Sequence, residues 1–475
     1  MKLEIVGRER EKAELKRYSG SGRPEFVAVY GRRRVGKTFL VREYFGEDFL
    51  FYFTGTVGGK RLSQLKDFDT AMKRYGSDSS VPSKSWSEAF LKLRGLIENA
   101  PKGKRQVVFI DELPWLDTKN SDFMPALDYF WNSFASARPE LLFIVCGSAA
   151  SWVIKKIFKN RGGLHNRVTG RIHMSPFTLR ECEEYFSRLG VVMNRYQIIE
   201  SYSVFGGIPF YLGLFDTKLG PLQNVDRILF EENAPLRDEY NDLYRSLFSE
   251  PERPLSIVEA LARKRYGMTR YELTKATGLQ DSGHFSANLE ALEQSDFIVR
   301  YADFTRASNG AYYRLSDPFS LFWQYFGKEG KDSRDEYYWT NRREDGARRA
   351  WSGYSFEEIC LSHIPQIKSK LGISGVSTRV TAWRSRDAKP GAQIDLVIDR
   401  ADGVINLCEM KYTLHPYTIT KDDDDALLRK RQVFAGETQT RKALHTTMVT
   451  TYGLTQNGYR GAAQSEISMD DLFAF

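Results

Sequence analysis

The chain has 475 residues, 41% of them hydrophobic and 27% charged, which is too long for one ordinary domain and sets an expectation of two to four. Its formal net charge of +8 is a mild bias toward polyanions and too small to demand such a partner. The first ten residues lack the apolar core of a secretory signal, and runs such as "LLFIVC" fall far short of the roughly 20 residues that span a bilayer, so a cytoplasmic chain with no membrane partner is expected. Cys146, Cys182, Cys360 and Cys408 are scattered with no CxxC pair, which argues against a zinc knuckle or a disulfide framework. The histidines form no HExxH-type pair.

The first predicted elements lie in "FVAVYGRRRVGKTFLVREYF", a buried strand, a glycine-bounded loop and a helix. The loop fits GxxxxGK[ST] as Gly31, Gly36, Lys37 and Thr38, with Arg34, Val35 and Phe39 as further candidate binding residues. Its glycines let backbone N–H groups turn around phosphate oxygens, Lys37 reaches the β- and γ-phosphates, and the Thr38 hydroxyl ligates Mg²⁺. The helix that follows aims its N-terminal dipole at the anion. ATP and Mg²⁺ are the expected cofactors.

The strand in "RQVVFIDELPWL" ends at Asp111-Glu112, which places Asp111 on the magnesium and Glu112 on the attacking water. Another apolar strand, in "ELLFIVCGSAAS", ends at Ser148, where a hydroxyl would touch the γ-phosphate or the water. Strands alternating with helices predict an α/β domain with a parallel sheet and its ligand at the strand C-termini.

From about residue 175 to 218 the pattern is helical and amphipathic. Residues 268–304 then read as helix, turn at Gly278-Leu279, helix and a strand "FIVRY", a helix-turn-helix with a wing. His284, Ser286 and Asn288 open the second helix, whose Glu290 and Glu293 weaken its appeal to DNA. The polar stretch 327–349 is the best linker candidate, although Tyr337, Tyr338 and Trp339 suggest that part of it packs.

Near the end, "WSGYSFEEICLSHIPQIK" reads as an amphipathic helix with Phe356, Ile359, Cys360 and His363 or Ile364 inward. In "GAQIDLVIDRADGVINLCEMKYT" two alternating runs flank Ala401-Asp402-Gly403, which suits a three-residue hairpin loop. That register sets Asp395 opposite Glu409, with Lys411 on the same face; a two-residue loop would set Asp395 opposite Met410 and break the cluster. Opposed carboxylates repel, and a shared Mg²⁺ or Mn²⁺ would relieve them. Lys411 would then orient water and stabilise charge on a phosphate. A cross-strand salt-bridge set on a solvated face is the competing reading. Acidic residues Asp422 to Asp425 open a further helix and suit its dipole, and Lys430 or Gln432 from that helix could face the site.

The motifs "VGREREKAEL", the loop, "FIDELPWL", "VCGSAASW", "HNRVTGRIHMSPFTLRE" and "FGGIPFYL" occur in the order seen in archaeal-type ATPases, P-loop proteins of the ASCE class related to the STAND and AAA+ branches. This resemblance covers roughly the first half of the chain. It implies that Gly7 and Arg8 lie near the adenine, that Arg167 senses the γ-phosphate, and that Gly207 and Pro209 belong to a lid. Arg167 would act within its own chain or across the interface of a homo-oligomer. The last domain resembles the PD-(D/E)XK nuclease core, with Asp395, Glu409 and Lys411 on the signature and Glu357 or its neighbour Glu358 as the helix carboxylate, Glu357, Asp395 and Glu409 then being metal ligands. Ile394 stands where that signature has Pro. The implied partner is DNA. The expected organisation is a P-loop ATPase core at 1–174, a helical lid at 175–240, a winged helix at 241–330, a linker at 331–347 and a restriction-endonuclease-like α/β domain at 348–475. Two functions compete: an ATPase controlling a metal-dependent nuclease, and a nucleotide-switched binding protein with a non-catalytic last domain.

Overall fold

The structure is a computed structural model that describes residues 4–77, 81–148, 150–158, 164, 166–248, 250–305, 311–333, 335–385 and 388–475. It divides into two units, Met1–Pro176 and Phe177–Phe475. Among the described residues no helix is long and apolar enough to cross a membrane.

In the first unit, α1 (Glu9–Ser19) precedes β1 (Glu25–Tyr30) and α2 (Lys37–Phe45). β2 (Phe49–Thr54), α3 (Arg61–Arg74), α4 (Trp86–Glu98), β3 (Gln106–Asp111), α5 (Phe123–Ser133), β4 (Leu141–Gly147) and β5 (Gly170–His173) follow. The strands form one parallel sheet in the order β2-β3-β4-β1-β5. β3 and β4 are buried along their whole length, as strands covered on both faces must be, which is why they read as unbroken apolar runs. Phe26, Phe51, Phe68, Trp86, Phe130 and Phe143 fill the core against α3, α4 and α5. Burying each such side chain contributes roughly 1.5–3 kcal/mol.

The second unit opens with α6 (Leu179–Leu189) and α7 (Arg195–Phe205), each begun by a capping box, Thr178 with Glu181 and Asn194 with Gln197. α8 (Pro221–Leu229) and α9 (Glu252–Ala262) come next. Then β6 (Met268–Thr269), α10 (Arg270–Thr277), α11 (Gly283–Gln294), β7 (Ile298–Tyr301) and β8 (Tyr312–Leu315) build a small module with an antiparallel sheet in the order β6-β8-β7. Gly278, at φ 70°, ends α10 where the turn was expected. His284 and Ser286 are exposed on α11 and Asn288 is half-buried. Part of the expected wing, 306–310, lies outside the described residues.

The expected linker is packed. Of its three aromatics, Tyr338 and Trp339 are buried and Tyr337 is exposed. Buried Asp226 on α8 accepts hydrogen bonds from the N–H groups of Trp339 (2.7 Å) and Thr340 (3.0 Å) and from the Thr340 hydroxyl (2.5 Å). The Trp339 ring meets those of Phe322, Phe326 and Trp351 edge-on. Residues 177–475 fall within one compact unit.

α12 (Gly346–Ser362) leads into β9 (Thr378–Arg384), β10 (Gln393–Arg400), β11 (Val404–Lys411), α13 (Lys421–Thr438), β12 (Ala443–Thr450) and β13 (Ser465–Ser468). Phe356, Ile359, Cys360 and His363 are buried, as the amphipathic pattern required. The sheet runs β13-β12-β11-β10-β9, antiparallel from β9 to β11 and parallel from β11 to β13. Val397, Ile405, Leu407, Trp383 and Phe434 of α13 pack on one face. On β11, buried Asn406 donates to the Thr447 hydroxyl at 3.0 Å.

His363 carries a pH dependence. It is buried, its Nε2 accepts the Leu179 N–H at 3.0 Å, and its Nδ1 lies 2.8 Å from the Ile359 carbonyl, so the proton sits on Nδ1. Burial pushes its pKa down from 6.5 to about 4. The unfolded chain then binds the extra proton first, so the contribution is complete above pH 6.5 and is lost as pH falls toward 4, about 3 kcal/mol in all. Denaturant unfolding should show that loss between pH 7 and pH 4, and His363→Gln should flatten it.

Candidate nucleotide site and acidic cleft

The loop after β1 is built from left-handed backbone. Gly31 has φ 142°, and a Cβ there would stand 2.3 Å from the Met174 carbonyl oxygen, so only glycine fits. Arg34 (φ 70°) and Gly36 (φ 89°) curl the chain in the way that gathers N–H groups into an anion-binding concavity. Gly36 also caps α2, whose N-terminus faces the same concavity. Val35 is buried, whereas Phe39 is exposed on α2. Gly7 and Arg8 are left-handed too, both at φ 57°, and the buried Arg8 guanidinium donates to the carbonyls of Ser175 (2.7 Å) and Val35 (3.2 Å). Arg8 thereby braces the loop against the segment after β5.

Lys37 is buried, and its ammonium donates to the carbonyls of Gly31 (3.1 Å) and Arg32 (2.7 Å). Burial pulls its pKa down, and Glu112 and Asp111 partly oppose that. The Thr38 hydroxyl donates to Asp111 Oδ2 at 2.7 Å, joining the loop to the end of β3. Burial pushes the Asp111 carboxyl up, against that hydrogen bond. Glu112 is itself left-handed (φ 49°) and accepts from the Ser148 hydroxyl at 2.8 Å. β4 lies between β1 and β3, which sets Ser148 beside both halves of the site. The oxygen donors of Thr38 and Asp111 suit a hard cation such as Mg²⁺. Arg167 is exposed, and Pro209 opens the short helix Pro209–Leu212 in the second unit. Gly207 packs on the backbone of Phe177 so closely that a Cβ would overlap it.

Residues 5–215 match the model of an ATPase domain found predominantly in Archaea. Over these residues the chain is similar to an archaeal-type ATPase domain. The chain is 23% identical over 396 residues to an uncharacterized protein of Methanocaldococcus jannaschii, a match that covers 83% of this chain and 84% of that one. Among solved structures, the Walker-type ATPase of Pyrococcus abyssi is similar at 20% identity and TM-score 0.49, over 67% of this chain and 96% of that chain. The Aeropyrum pernix ORC2 protein in its ADPNP–ADP complexes is similar at 15% identity and TM-score 0.40, over 68% and 93%.

The second candidate site lies in the last domain. β10 and β11 pair from Leu396 with Cys408 to Asp399 with Ile405, the register of a three-residue loop, and just beyond this pairing Asp395 lies close enough to Glu409 to feel its charge. A bulge between Ile394 and Val397 on the β9 side bends β10 at this point. Glu409 holds two lysines, Lys411 Nζ at 3.1 Å from Oε1 and Lys430 Nζ at 2.6 Å from Oε2. Asp395 accepts from the Gln393 amide at 2.5 Å. Its pKa is pushed up by burial and by Glu409, against Lys430 and Arg314.

The structure separates the two helix carboxylates. Glu358 pairs with Arg314 at 2.9 Å, whereas Glu357 faces Asp395 and Arg265. Burial and the Asp395 charge push Glu357 up to about 8, and burial pushes Glu358 to about 7 against Arg314. Glu357, Glu358, Asp395, Arg265, Tyr266 and Arg314 line one cavity of about 70 Å³. Among the described residues no three His, Cys, Asp or Glu side chains gather closely enough to hold a metal ion. The oxygen donors have the right chemistry for Mg²⁺, but in this arrangement Glu357, Asp395 and Glu409 do not form its shell. Arg314, Arg265 and Tyr266 gave no local signal in the sequence, because they reach the cleft from residues far away in the chain.

Lys37→Ala removes the ammonium at the centre of the phosphate loop. Titration with a fluorescent ATP analogue should show binding lost while the melting transition is kept.

Proposed function

We propose that the chain hydrolyses ATP with Mg²⁺ at the loop after β1, and that its nucleotide state governs a DNA-directed, nuclease-like terminal domain. The observation that carries the first half is the Thr38–Asp111 contact of 2.7 Å, which joins phosphate loop and acidic strand end into one site. In this reading Lys37 and the loop N–H groups hold the β- and γ-phosphates. Thr38 and Asp111 hold the ion, which neutralises charge on the phosphates when bound. Glu112, oriented by Ser148, takes the proton of the attacking water. For the second half, the nuclease-like reading is supported by a hairpin register that, extended one pair past Leu396–Cys408, would face Asp395 with Glu409, and by Lys411 on Glu409 at 3.1 Å. Arg265 and Arg384 around the same cavity supply positive charge of the kind a nucleic-acid backbone needs, whereas Lys264 there is paired with Glu272.

One observation favours a second reading, a nucleotide-switched binding protein whose last domain does not cleave. Both carboxylate oxygens of Glu409 are taken by lysines, so the residue serves as the centre of a salt-bridge set.

Glu112→Gln keeps the shape of the site and removes the base. ATP binding should persist and hydrolysis should slow by about 10²-fold or more; phosphate release at the wild-type rate would remove Glu112 from the mechanism.

Plasmid incubated with Mg²⁺ or Mn²⁺, with and without ATP, separates the two readings of the last domain. The nuclease-like reading expects nicking or linearisation that Asp395→Ala and Lys411→Ala each abolish, with ATP hydrolysis intact in both. Intact plasmid under every condition, with Glu358→Gln as well as with wild type, selects the switch.

A further inference from the structure

The acidic cleft has a wall that does not belong to the terminal domain. Arg314 lies on β8 of the small module and Arg265 and Tyr266 on the turn before β6, whereas Glu357 and Glu358 lie on α12 and Asp395 on β10. The module meets the terminal domain at a sheet edge and over the cleft, where Arg265 also lies 5.0 Å over the Tyr354 ring of α12. At the edge of the terminal sheet, Asp303 forms a bridge to Ala382 of β9, the Phe304 N–H donates to the Ala382 carbonyl at 2.9 Å, and the Phe304 ring lies 5.0 Å from Phe434 in the core. Over the cleft, Arg314 meets Glu358, and the two side chains are only 10% and 5% exposed. Arg314 also lies 5.3 Å over the Tyr301 ring, and the Tyr301 hydroxyl donates to the Tyr266 carbonyl, so the guanidinium is held from behind by its own module.

What remains between the walls, about 70 Å³, has room for a few waters. Ligand pockets run to roughly 300–1,000 Å³, so no nucleotide enters this one as it stands. The carboxylates below it do not gather as a metal shell. Closure of the wall and the dispersed carboxylates are two aspects of one arrangement, in which protein cations stand among the acids.

Resting on the nuclease-like reading of the terminal domain, we propose that the small module is a cover over the acidic cleft, latched by the Arg314–Glu358 ion pair, and that a DNA phosphodiester reaches Asp395 and Glu357 only when the latch opens. Phe304 and the edge pairing at Ala382 are the fixed end, since they are part of the terminal sheet and its core. The Arg314 side is the end that moves.

The test compares full-length wild type with Arg314→Met, Arg314→Lys and the milder Glu358→Gln. Two quantities are read: amide hydrogen exchange in the peptides over 312–315 and 393–396, and cleavage of supercoiled plasmid with Mn²⁺. Circular dichroism melting selects the variants that fold, and Glu358→Gln carries the test if Arg314→Met does not. Exchange should rise by about tenfold in Arg314→Met and Glu358→Gln, with Arg314→Lys closer to wild type. Cleavage should rise with it and vanish when Asp395→Ala is added. Exchange equal to wild type in both uncharged variants overturns the latch, and so does wild type that cleaves as fast as they do. Raised exchange with no cleavage by any protein supports the cover and overturns the nuclease-like reading beneath it.

Discussion

In a parallel sheet every strand delivers its last residue to the same edge, and the chain must leave that edge within a few residues. The first unit is organised by this constraint. β1, β3 and β4 end side by side with β4 in the middle, so the phosphate loop, Asp111-Glu112 and Ser148 converge without any of them being close in sequence. The sharp exits require unusual backbone, and it appears at Gly31, Arg34, Gly36 and Glu112. Non-glycine residues held in the left-handed region cost about 1–3 kcal/mol each and persist only where surroundings fix them. Here the fixing contacts are visible: Ser148 on Glu112, Thr38 on Asp111, and Arg8 on Val35.

The terminal domain solves a different problem. Its hairpin brings carboxylates together by antiparallel register, and burial makes each charge expensive. The chain offsets that with its own cations: Lys411 and Lys430 on Glu409, Arg314 on Glu358. Burial still raises the pKa values of Glu357, Glu358 and Asp395, so the compensation is incomplete at each of them. The cost of bringing acids together is thus met in different ways across one cleft, and the acids left only partly compensated, Glu357, Glu358 and Asp395, line the cavity.

Much of this was legible locally. GxxxxGK[ST] after an apolar run specifies strand, loop and helix because glycine spacing and hydrophobic period agree, and the structure has those elements at β1 and α2. The hairpin register followed from a three-residue loop because side chains alternate with period two, so loop length alone decides which face Asp395 takes. What was not legible is long-range. Nothing in "YYW" says that Asp226, more than a hundred residues earlier, receives its N–H groups, although the three aromatics did suggest that part of the polar stretch packs. Nor does the sequence around Arg314 show its partner, since an arginine on an alternating strand looks solvent-facing until the other domain is known. The bulge beside Asp395 left no mark either, because neither Gln393 nor Asp395 is a residue that only a bulge can accommodate.

A buried ion pair is a suitable element for control because its net contribution is small. Desolvating two charges costs several kcal/mol per ion, and their attraction returns about the same amount. The ion pair by itself therefore favours the closed arrangement only narrowly, even though breaking either partner alone is costly. Coupling between two sites in a protein typically amounts to 1–3 kcal/mol, enough to move an equilibrium of that size and far too little to unfold a domain. The Phe304 anchor differs in kind: an aromatic ring 5.0 Å from Phe434 within the terminal core loses contacts outright when withdrawn. The same module thus has one end held by apolar packing and one held by compensated charge. A nucleotide-dependent change that favours opening by a few kcal/mol would release the charged end first, because the apolar end offers no alternative partner of comparable energy.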